Sequence, residues 1–444
     1  MMQRRDLLLA SLFAPTGMAA LAAAAPSPHN VAAGLTALRT WEDGGGPSDE
    51  DFWAEVGRLF PVDRALVNLN NGGVHPTAGP ALLAMERHLR TTQEAPAYTL
   101  WRELAPRKEG VRQALAQMAG VDAEEIAITR NASEALEILQ LGFDLEPGDQ
   151  VLATDQDYPR MLETFRQRER RDGIELVTFP IPTPVEDPAE VVRRYAAHIT
   201  DRTRLILVSQ VVFLTGQALP VREIAALGRA RGIPVLVDGA HGFAHLPERI
   251  AELDVDYYAT SLHKWLAAPQ GTGLLYVRRE RIPGLWPLMA APATSASDVR
   301  KFEEIGTHPM APVLAIAEAL DLFHTLGAER KHRRLVHLRE AWLAPVLEMG
   351  RGRARCLTPR DPAWSGALAT LAIDGIDPVA LSGHLWNAHR IFTVAVRHGT
   401  PTTGQPAELG FEGLRVTPSV YTRPVELERL VAALQKVLQH GLPA

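Results

Sequence analysis

Two side chains that can act on one aromatic ring lie 26 residues apart in this 444-residue chain: an acid, Asp238, and an amine, Lys264. Ile233 and the run Val235-Leu236-Val237 favour β structure and stop at Asp238, so a buried strand ends in a carboxylate. A second strand-like run, residues 254–260, leads into Ser261-Leu262-His263-Lys264-Trp265, which presents an amine with a hydroxyl and an imidazole beside it. The carboxyl ends of strands are where α/β proteins keep their ligands. An acid behind a pyridinium nitrogen and a lysine able to form a Schiff base are the two demands that pyridoxal phosphate makes of a protein. Taken singly, each residue reads more simply as a turn aspartate or a solvated lysine, so the elements around them have to decide.

Those elements alternate. Strands are expected at residues 126–128, 150–153, 175–179, 204–209 and 273–277, and helices at 135–141, 161–171, 188–197 and 221–231. This is the pattern of a mostly parallel sheet covered on both faces, an α/β domain whose strand ends gather Asp157-Tyr158-Pro159, Gln210, Asp238 with His241, and Ser261 to Lys264. After the first strand, Asn131 is a good N-cap, and Glu134 three residues later makes a capping-box pattern. A helix start of that kind binds phosphate through its first amide groups, and Ser133 adds a hydroxyl. Upstream, Asn70-Asn71-Gly72-Gly73 is a turn whose glycines permit close backbone approach to a ligand, which makes Asn71 a candidate substrate contact. Residues 400–404 are a further stretch of candidate lining.

Helices at 311–326 and 327–349 precede a smaller α+β region with strands at 367–373, 391–396 and 413–417 and helices at 378–388 and 425–438. The expected organisation is a large ligand-binding domain over 61–326 and a small C-terminal domain over 327–444. Residues 26–60, rich in Ala, Gly and Pro at their start, read as an N-terminal arm with folded structure beginning near Phe52. Residues 1–25 read as a twin-arginine export signal: Arg4-Arg5, then a weakly apolar run closed by four alanines at 22–25. That implies the twin-arginine export machinery as a partner, a periplasmic location and no stable membrane insertion. A formal net charge of −6 gives no footprint for nucleic acid. A single cysteine, Cys356, excludes an internal disulfide and a Cys-based metal cluster. His241, His245 and His263 lack the HExxH pattern, so no metal is expected and a metallohydrolase has little support.

Several of these stretches together resemble the class V aminotransferase family of fold type I pyridoxal-phosphate enzymes, which includes cysteine desulfurases and isopenicillin N epimerase-like proteins. Asp238-Gly239-Ala240-His241 and Ser261-Leu262-His263-Lys264 match its Asp-x-Ala-His/Gln and Ser-x-His-Lys patterns. Phe302-Glu303 with Gly306-Thr307 resembles Phe-Glu-x-Gly-Thr with one extra residue, and Arg415-Val416-Thr417 with Tyr421-Thr422 resembles a C-terminal segment. The resemblance runs from about residue 68 to the C-terminus. It implies a large domain built on a mostly parallel seven-stranded sheet, with Lys264 as the Schiff-base lysine, Asp238 at the ring nitrogen and His241 at the ring hydroxyl. It further implies that Ala132, Ser133, Ser261 and His263 hold the phosphate, that Tyr158 stacks on the ring, and that Thr307 reaches the phosphate of a neighbouring subunit in a homodimer. Arg415 then grips the substrate carboxylate, and Arg397, in Val394-Ala395-Val396-Arg397, is a second substrate contact.

One departure matters. Desulfurases carry a catalytic cysteine soon after that arginine, whereas this chain continues His398-Gly399-Thr400-Pro401-Thr402-Thr403. The expected activity is therefore chemistry at Cα of a small amino-acid substrate, aminotransferase-type tailoring of an exported metabolite first. This follows the resemblance to periplasmic members of the family that mature peptide siderophores. Epimerisation and C–S or β-elimination lyase chemistry are the alternatives within the family. A binding protein that keeps the fold without turnover is the alternative outside it.

Overall fold

The apolar runs that end in Asp238 and Ser261 are the middle of a single seven-stranded sheet, which positions the candidate ring and phosphate contacts other than Thr307. The computed structural model describes residues 27–41, 45–399 and 410–443, so the export signal at 1–25 and the candidate lining at 400–404 lie outside the described residues. In chain order the strands are β1 (Ile126–Thr129), β2 (Gln150–Thr154), β3 (Glu175–Phe179), β4 (Thr203–Ser209), β5 (Val235–Asp238), β6 (Tyr257–Ser261) and β7 (Gly273–Val277). Their spatial order is β1-β7-β6-β5-β4-β2-β3. All neighbours pair parallel except β7, which runs antiparallel to both β1 and β6.

Side chains of these strands alternate between two cores. Ile206, Val208, Val235, Val237 and Tyr258 pack into one. Leu205, Leu207, Leu236, Tyr257 and Ala259 pack into the other, under the helices Ala132–Gly142 and Pro159–Asp172. Burial on both faces explains the unbroken apolar runs, because a covered parallel sheet has no polar side.

Beyond it, β8 (Ala354–Cys356), β9 (Ala369–Ile373), β10 (Val394–Gly399) and β11 (Gly410–Val416) form an antiparallel sheet in the order β10-β11-β9-β8. It packs on the helices Ala328–Gly350 and Pro424–His440 through Leu338, Trp342, Leu371, Leu414, Leu430 and Leu434. Helix Ala328–Gly350 also sends Leu335 into the first core, so it belongs to both packing units. A two-residue parallel pairing, Val67–Asn68 with Ile391–Phe392, and a bridge from Asn70 to Thr417 tie the turn at 70–73 to the second sheet.

Two expectations are corrected. Ordered structure begins well before Phe52: helix Pro28–Arg39 is capped by Ser27, sends Val31 and Leu38 into the first core, and its Arg39 pairs with Asp321 at 2.6 Å. The Ala- and Gly-rich composition that reads as an arm here supplies small residues for close helix packing, with helix Glu50–Arg58 beside it. The expected strand at 391–396 is split at Thr393, its first half pairing with Val67–Asn68 and its second half with β11.

Candidate active site

A cavity of about 610 Å³ opens at the carboxyl ends of β4, β5 and β6 and is closed on the far side by β10 and Arg415. Asp238, His241, Lys264, Ser133, Ser261 and His263 all line it, as do Tyr158 and Gly72-Gly73. Sheet order explains the convergence. Ser261 of β6 and Thr129 of β1 both pair with Gly273 of β7, so the β1 end and the helix after it arrive beside Ser261 although the two lie far apart in sequence. Gly273 permits the approach, since a Cβ there would sit 2.6 Å from Thr129 Oγ1 and 2.7 Å from the Asn131 backbone.

Asn131 caps helix Ala132–Gly142 by accepting the Glu134 N–H at 2.8 Å, as its position before the helix predicts. The expected capping box does not close. The Glu134 carboxylate instead accepts the Arg130 N–H and guanidinium, each at 2.6 Å, because the arginine charge outcompetes a second cap. Ala132 donates its N–H to Ser261 Oγ at 2.8 Å, which leaves the Ser261 proton directed elsewhere. The Ser133 amide, in the first turn, has no acceptor within the helix. His263 Nδ1 is buried without a partner among the described residues. Unspent donors from Ser133 and Ser261 on one wall, with His263 beside them and the positive end of a helix behind, fit a phosphate.

At the other end Asp238 is buried and accepts the Ala240 N–H at 3.0 Å, and burial pushes its carboxyl up from the usual range while Lys264 opposes the rise. Its register partner on β4 is Ser209, whose N–H and hydroxyl donate to Asp157 at 2.9 and 2.6 Å. Asp157 also takes the Thr154 N–H and hydroxyl, and burial pushes it up to about 6. A second buried carboxylate thus locks the turn from which Tyr158 leaves. Two acids at this end of an otherwise apolar floor make a setting that favours a cationic ring nitrogen.

Lys264 Nζ lies 3.2 Å from His241 Nε2. Burial lowers the amine to about 8, with Asp238 pulling it up and Arg415 pushing it down. Burial, with the nearby charges of Lys264 and Arg415, also holds the His241 imidazole neutral. With the amine donating to Nε2, the ring proton sits on Nδ1, which is buried without a partner among the described residues and is suited to donate to a ring oxygen. These orphaned donors and the acid–amine pair fit pyridoxal phosphate on observations independent of the motifs.

Arg415 is 8% exposed and donates to the Phe213 carbonyl at 2.8 Å and to Asn70 Oδ1 at 2.9 Å. Its Nε has no partner, no carboxylate pairs with it among the described residues, and burial lowers it to about 10. A buried guanidinium held only by neutral oxygens, on a cavity wall, is an anion receptor waiting for a carboxylate. Tyr158 stands edge-on to Phe213 with ring centroids 5.2 Å apart, and the two narrow the cavity beside it.

Asn71 is not part of the cavity lining, Arg397 stands at its rim, and the expectation for Thr307 concerns the cavity of a neighbouring subunit. Asn71 is fully buried, donates to the Asn68 and Thr417 carbonyls and accepts from Tyr421 and Asn68, so its amide is structural, and its neighbour Asn70 is the residue that serves the site by holding Arg415. Arg397 stands at the cavity rim, half exposed, with its guanidinium taken by Glu412 at 2.9 Å and by Asp377. Thr307 is exposed and lines no part of its own chain's cavity. Phe213 and Ser209 carry no signal in the sequence, and Asp157, expected among the strand-end loops, has no role assigned there. The first follows an apolar run with no polar signal, and the other two act through a strand pairing that sequence spacing does not reveal.

The chain matches the family model "Aminotransferase class-V" over residues 81–430. It is 32% identical to isopenicillin N epimerase of Streptomyces clavuligerus over 403 residues, 86% of this chain and 97% of that protein. It is 26% identical to a cysteine desulfurase of Pectobacterium atrosepticum over 374 residues, 79% of this chain and 87% of that one. Among solved structures, a mutant of C-DES with glycine covalently linked to its PLP cofactor superposes with a TM-score of 0.74 at 25% identity, covering 85% of this chain and 98% of that chain.

Proposed function

Because the chain belongs to the class V aminotransferase family, and so is a pyridoxal-phosphate enzyme, we propose that it moves a proton at Cα of a small amino acid or an amino-acid moiety of a larger metabolite. The observation that carries this reading is the pairing of the Lys264 amine, lowered to about 8 and 3.2 Å from His241, with the carboxylate-free Arg415 across one cavity. Pyridoxal phosphate supplies a ring that accepts the electron pair left at Cα when a proton departs. Lys264 is the base that takes this proton and the acid that returns it. Arg415 fixes the carboxylate and with it the direction of the Cα–H bond, while Asp238 would keep negative charge at the ring nitrogen and His241 would hold the ring oxygen of the bound cofactor. Tyr158 and Phe213 narrow the cavity between them.

The fate of the proton divides the family. Transamination-type tailoring is our reading, and epimerisation is the second, supported by the 32% identity with isopenicillin N epimerase over nearly its whole length. A persulfide route does not suit the chain, since its one cysteine, Cys356, sits on β8, bonded with Thr358 and away from the cavity lining. Incubating the pure protein with a panel of amino acids, with keto acid and enantiomer ratio both measured, separates the two. Racemised amino acid without keto acid overturns transamination. We further propose a homodimer. The exposed Tyr98, Trp101 and Trp286 and the outward Thr307 support it, and light scattering tests it. Export to the periplasm through Arg4-Arg5 is proposed as well, to be tested by fractionating cells that express the wild type and an Arg4→Lys/Arg5→Lys variant.

Two further outcomes follow from the charges. Attachment of the cofactor requires a neutral lysine. In the cofactor-free protein the attachment rate therefore climbs with pH and levels off above about 8, instead of climbing toward the ordinary lysine value of 10.5, and stopped-flow absorbance measures this. Asn70→Asp places a carboxylate on Arg415 and fills the receptor from within the chain. A charge-assisted bond contributes about 1.5–3 kcal/mol, so KM rises roughly 10- to 100-fold with kcat much less affected. An unchanged KM removes Arg415 from the substrate site.

A further inference from the structure

Beneath the Lys264 turn lies a second buried amine that the chemistry above does not use. Lys331, on helix Ala328–Gly350, is 6% exposed among Phe60, Trp265, Leu322, Phe323 and Leu326, with His75 and Ser419 as the polar neighbours. Its ammonium donates to the Trp265 carbonyl and lies 5.3 Å from the Phe323 ring centroid, and no carboxylate pairs with it among the described residues. Burial lowers it to about 7, and its charge in turn weighs on His75 and His245. An amine buried at such a cost with one acceptor is accounted for by where that acceptor sits. The acceptor is the peptide oxygen of the residue directly after Lys264.

That turn needs holding. Ala267 has φ of 58°, a left-handed conformation that disfavours a residue with a side chain, and it closes the turn by donating to the Lys264 carbonyl at 3.1 Å. The Trp265 ring stacks on His245 with centroids 3.6 Å apart and planes 4° from parallel. His245 Nδ1 donates to the His241 carbonyl at 2.7 Å and Nε2 accepts the Ala367 N–H at 2.8 Å, so both nitrogens are committed and one tautomer is fixed. His241 Nε2 meets Lys264 Nζ at 3.2 Å. Lys264, Trp265, His245 and His241 therefore form a closed circuit behind the cavity, and Lys331 fastens it to the helix shared by the two cores.

We propose that Lys331, acting through the Trp265 carbonyl and the Trp265–His245 stack, is a positioning residue that sets where the Lys264 amine stands relative to His241. This rests on the reading of Lys264 as the cofactor lysine, and the controls separate the two. Wild type is first mixed with pyridoxal phosphate. Failure to gain the visible band of a lysine-bound cofactor overturns the functional reading itself. With the band present, three variants are compared. Lys331→Met keeps the volume and loses the donor, Lys331→Gln restores an N–H one bond shorter, and His245→Phe keeps the stack but loses both hydrogen bonds.

In Lys331→Met the absorbance midpoint of the bound cofactor moves by at least half a pH unit, and kcat falls about tenfold while KM stays within threefold. Labelling of Lys264 in the cofactor-free protein, mapped by peptide mass spectrometry, slows at least threefold. Lys331→Gln recovers most of each change. Unchanged midpoint and labelling in Lys331→Met, or a Lys331→Gln variant as impaired as Lys331→Met, overturns the proposal. Should Lys331→Met not fold, His245→Phe decides, because it must shift the midpoint in the same way, and an unshifted midpoint there is equally fatal.

Discussion

Lys264→Ala gives a protein that binds pyridoxal phosphate without the visible lysine-bound band and whose turnover is lower by at least about four orders of magnitude. The size follows from two roles lost together. Positioned general acid–base catalysis alone is worth about 10²- to 10⁴-fold, and losing the covalent attachment point adds to that. The fold should survive. Lys264 leaves β6 through a turn whose hydrogen bonds, from Ala267 and Ala268, are made by backbone, and the alanine removes a buried amine whose charge burial disfavours. Borohydride treatment followed by peptide mapping locates the attachment in the wild type and finds none in the variant. A variant that retains the band refutes the assignment of Lys264. A primary amine added in solution restores part of the turnover, because the missing function is a base and not a scaffold.

The reach of the sequence ended where chemistry passes through strand pairing. Asp238 and Lys264 were legible because each follows an apolar run that stops abruptly, and burial on both sheet faces enforces such runs. The capped helix at Asn131 was legible because capping is local. Its neighbour Ser261, 129 residues away, is brought there by β7 running antiparallel between β1 and β6. Without the family resemblance nothing in the spacing announces that arrangement. The same limit explains Asp157, which works through Ser209, the register partner of Asp238.

Asn71 failed for a different reason. In a turn of two adjacent asparagines the bridge between Asn70 and Thr417 decides which amide reaches Arg415, and the strand that supplies Thr417 lies at the other end of the chain. Arg397 shows the complementary limit, since a motif can place an arginine at a cavity rim without revealing that Glu412 and Asp377 already pair with it.

Asp238→Asn retains the side-chain shape and an oxygen able to accept the Ala240 N–H, and changes one thing only, the charge facing the ring nitrogen. Two unit charges about 4 Å apart interact by roughly 4 kcal/mol at an effective dielectric of about 20, close to a thousandfold in rate, and kcat is expected to fall by about that factor. KM should change little, because the proposed function gives the substrate carboxylate to Arg415 and not to Asp238. Unlike Lys264→Ala, this variant keeps the visible band, so the two substitutions separate attachment from activation. Stability moves the other way from activity. Burial raises the Asp238 carboxyl above its unfolded value of 3.8, so the cofactor-free native state binds the proton more tightly than the unfolded chain. The cost of the buried charge is fully present above the native value and fades as pH falls through it toward 3.8. Cofactor-free Asp238→Asn is thus more stable than wild type at neutral pH and loses that advantage in acid, whereas with cofactor bound the order reverses, because the ring then offsets the charge. Thermal melts at neutral and acid pH, with and without pyridoxal phosphate, read all four states. If the variant turns over within tenfold of wild type, Asp238 does not hold the ring nitrogen, and if it is no more stable at pH 7 in the absence of cofactor, the buried carboxylate carries no such cost.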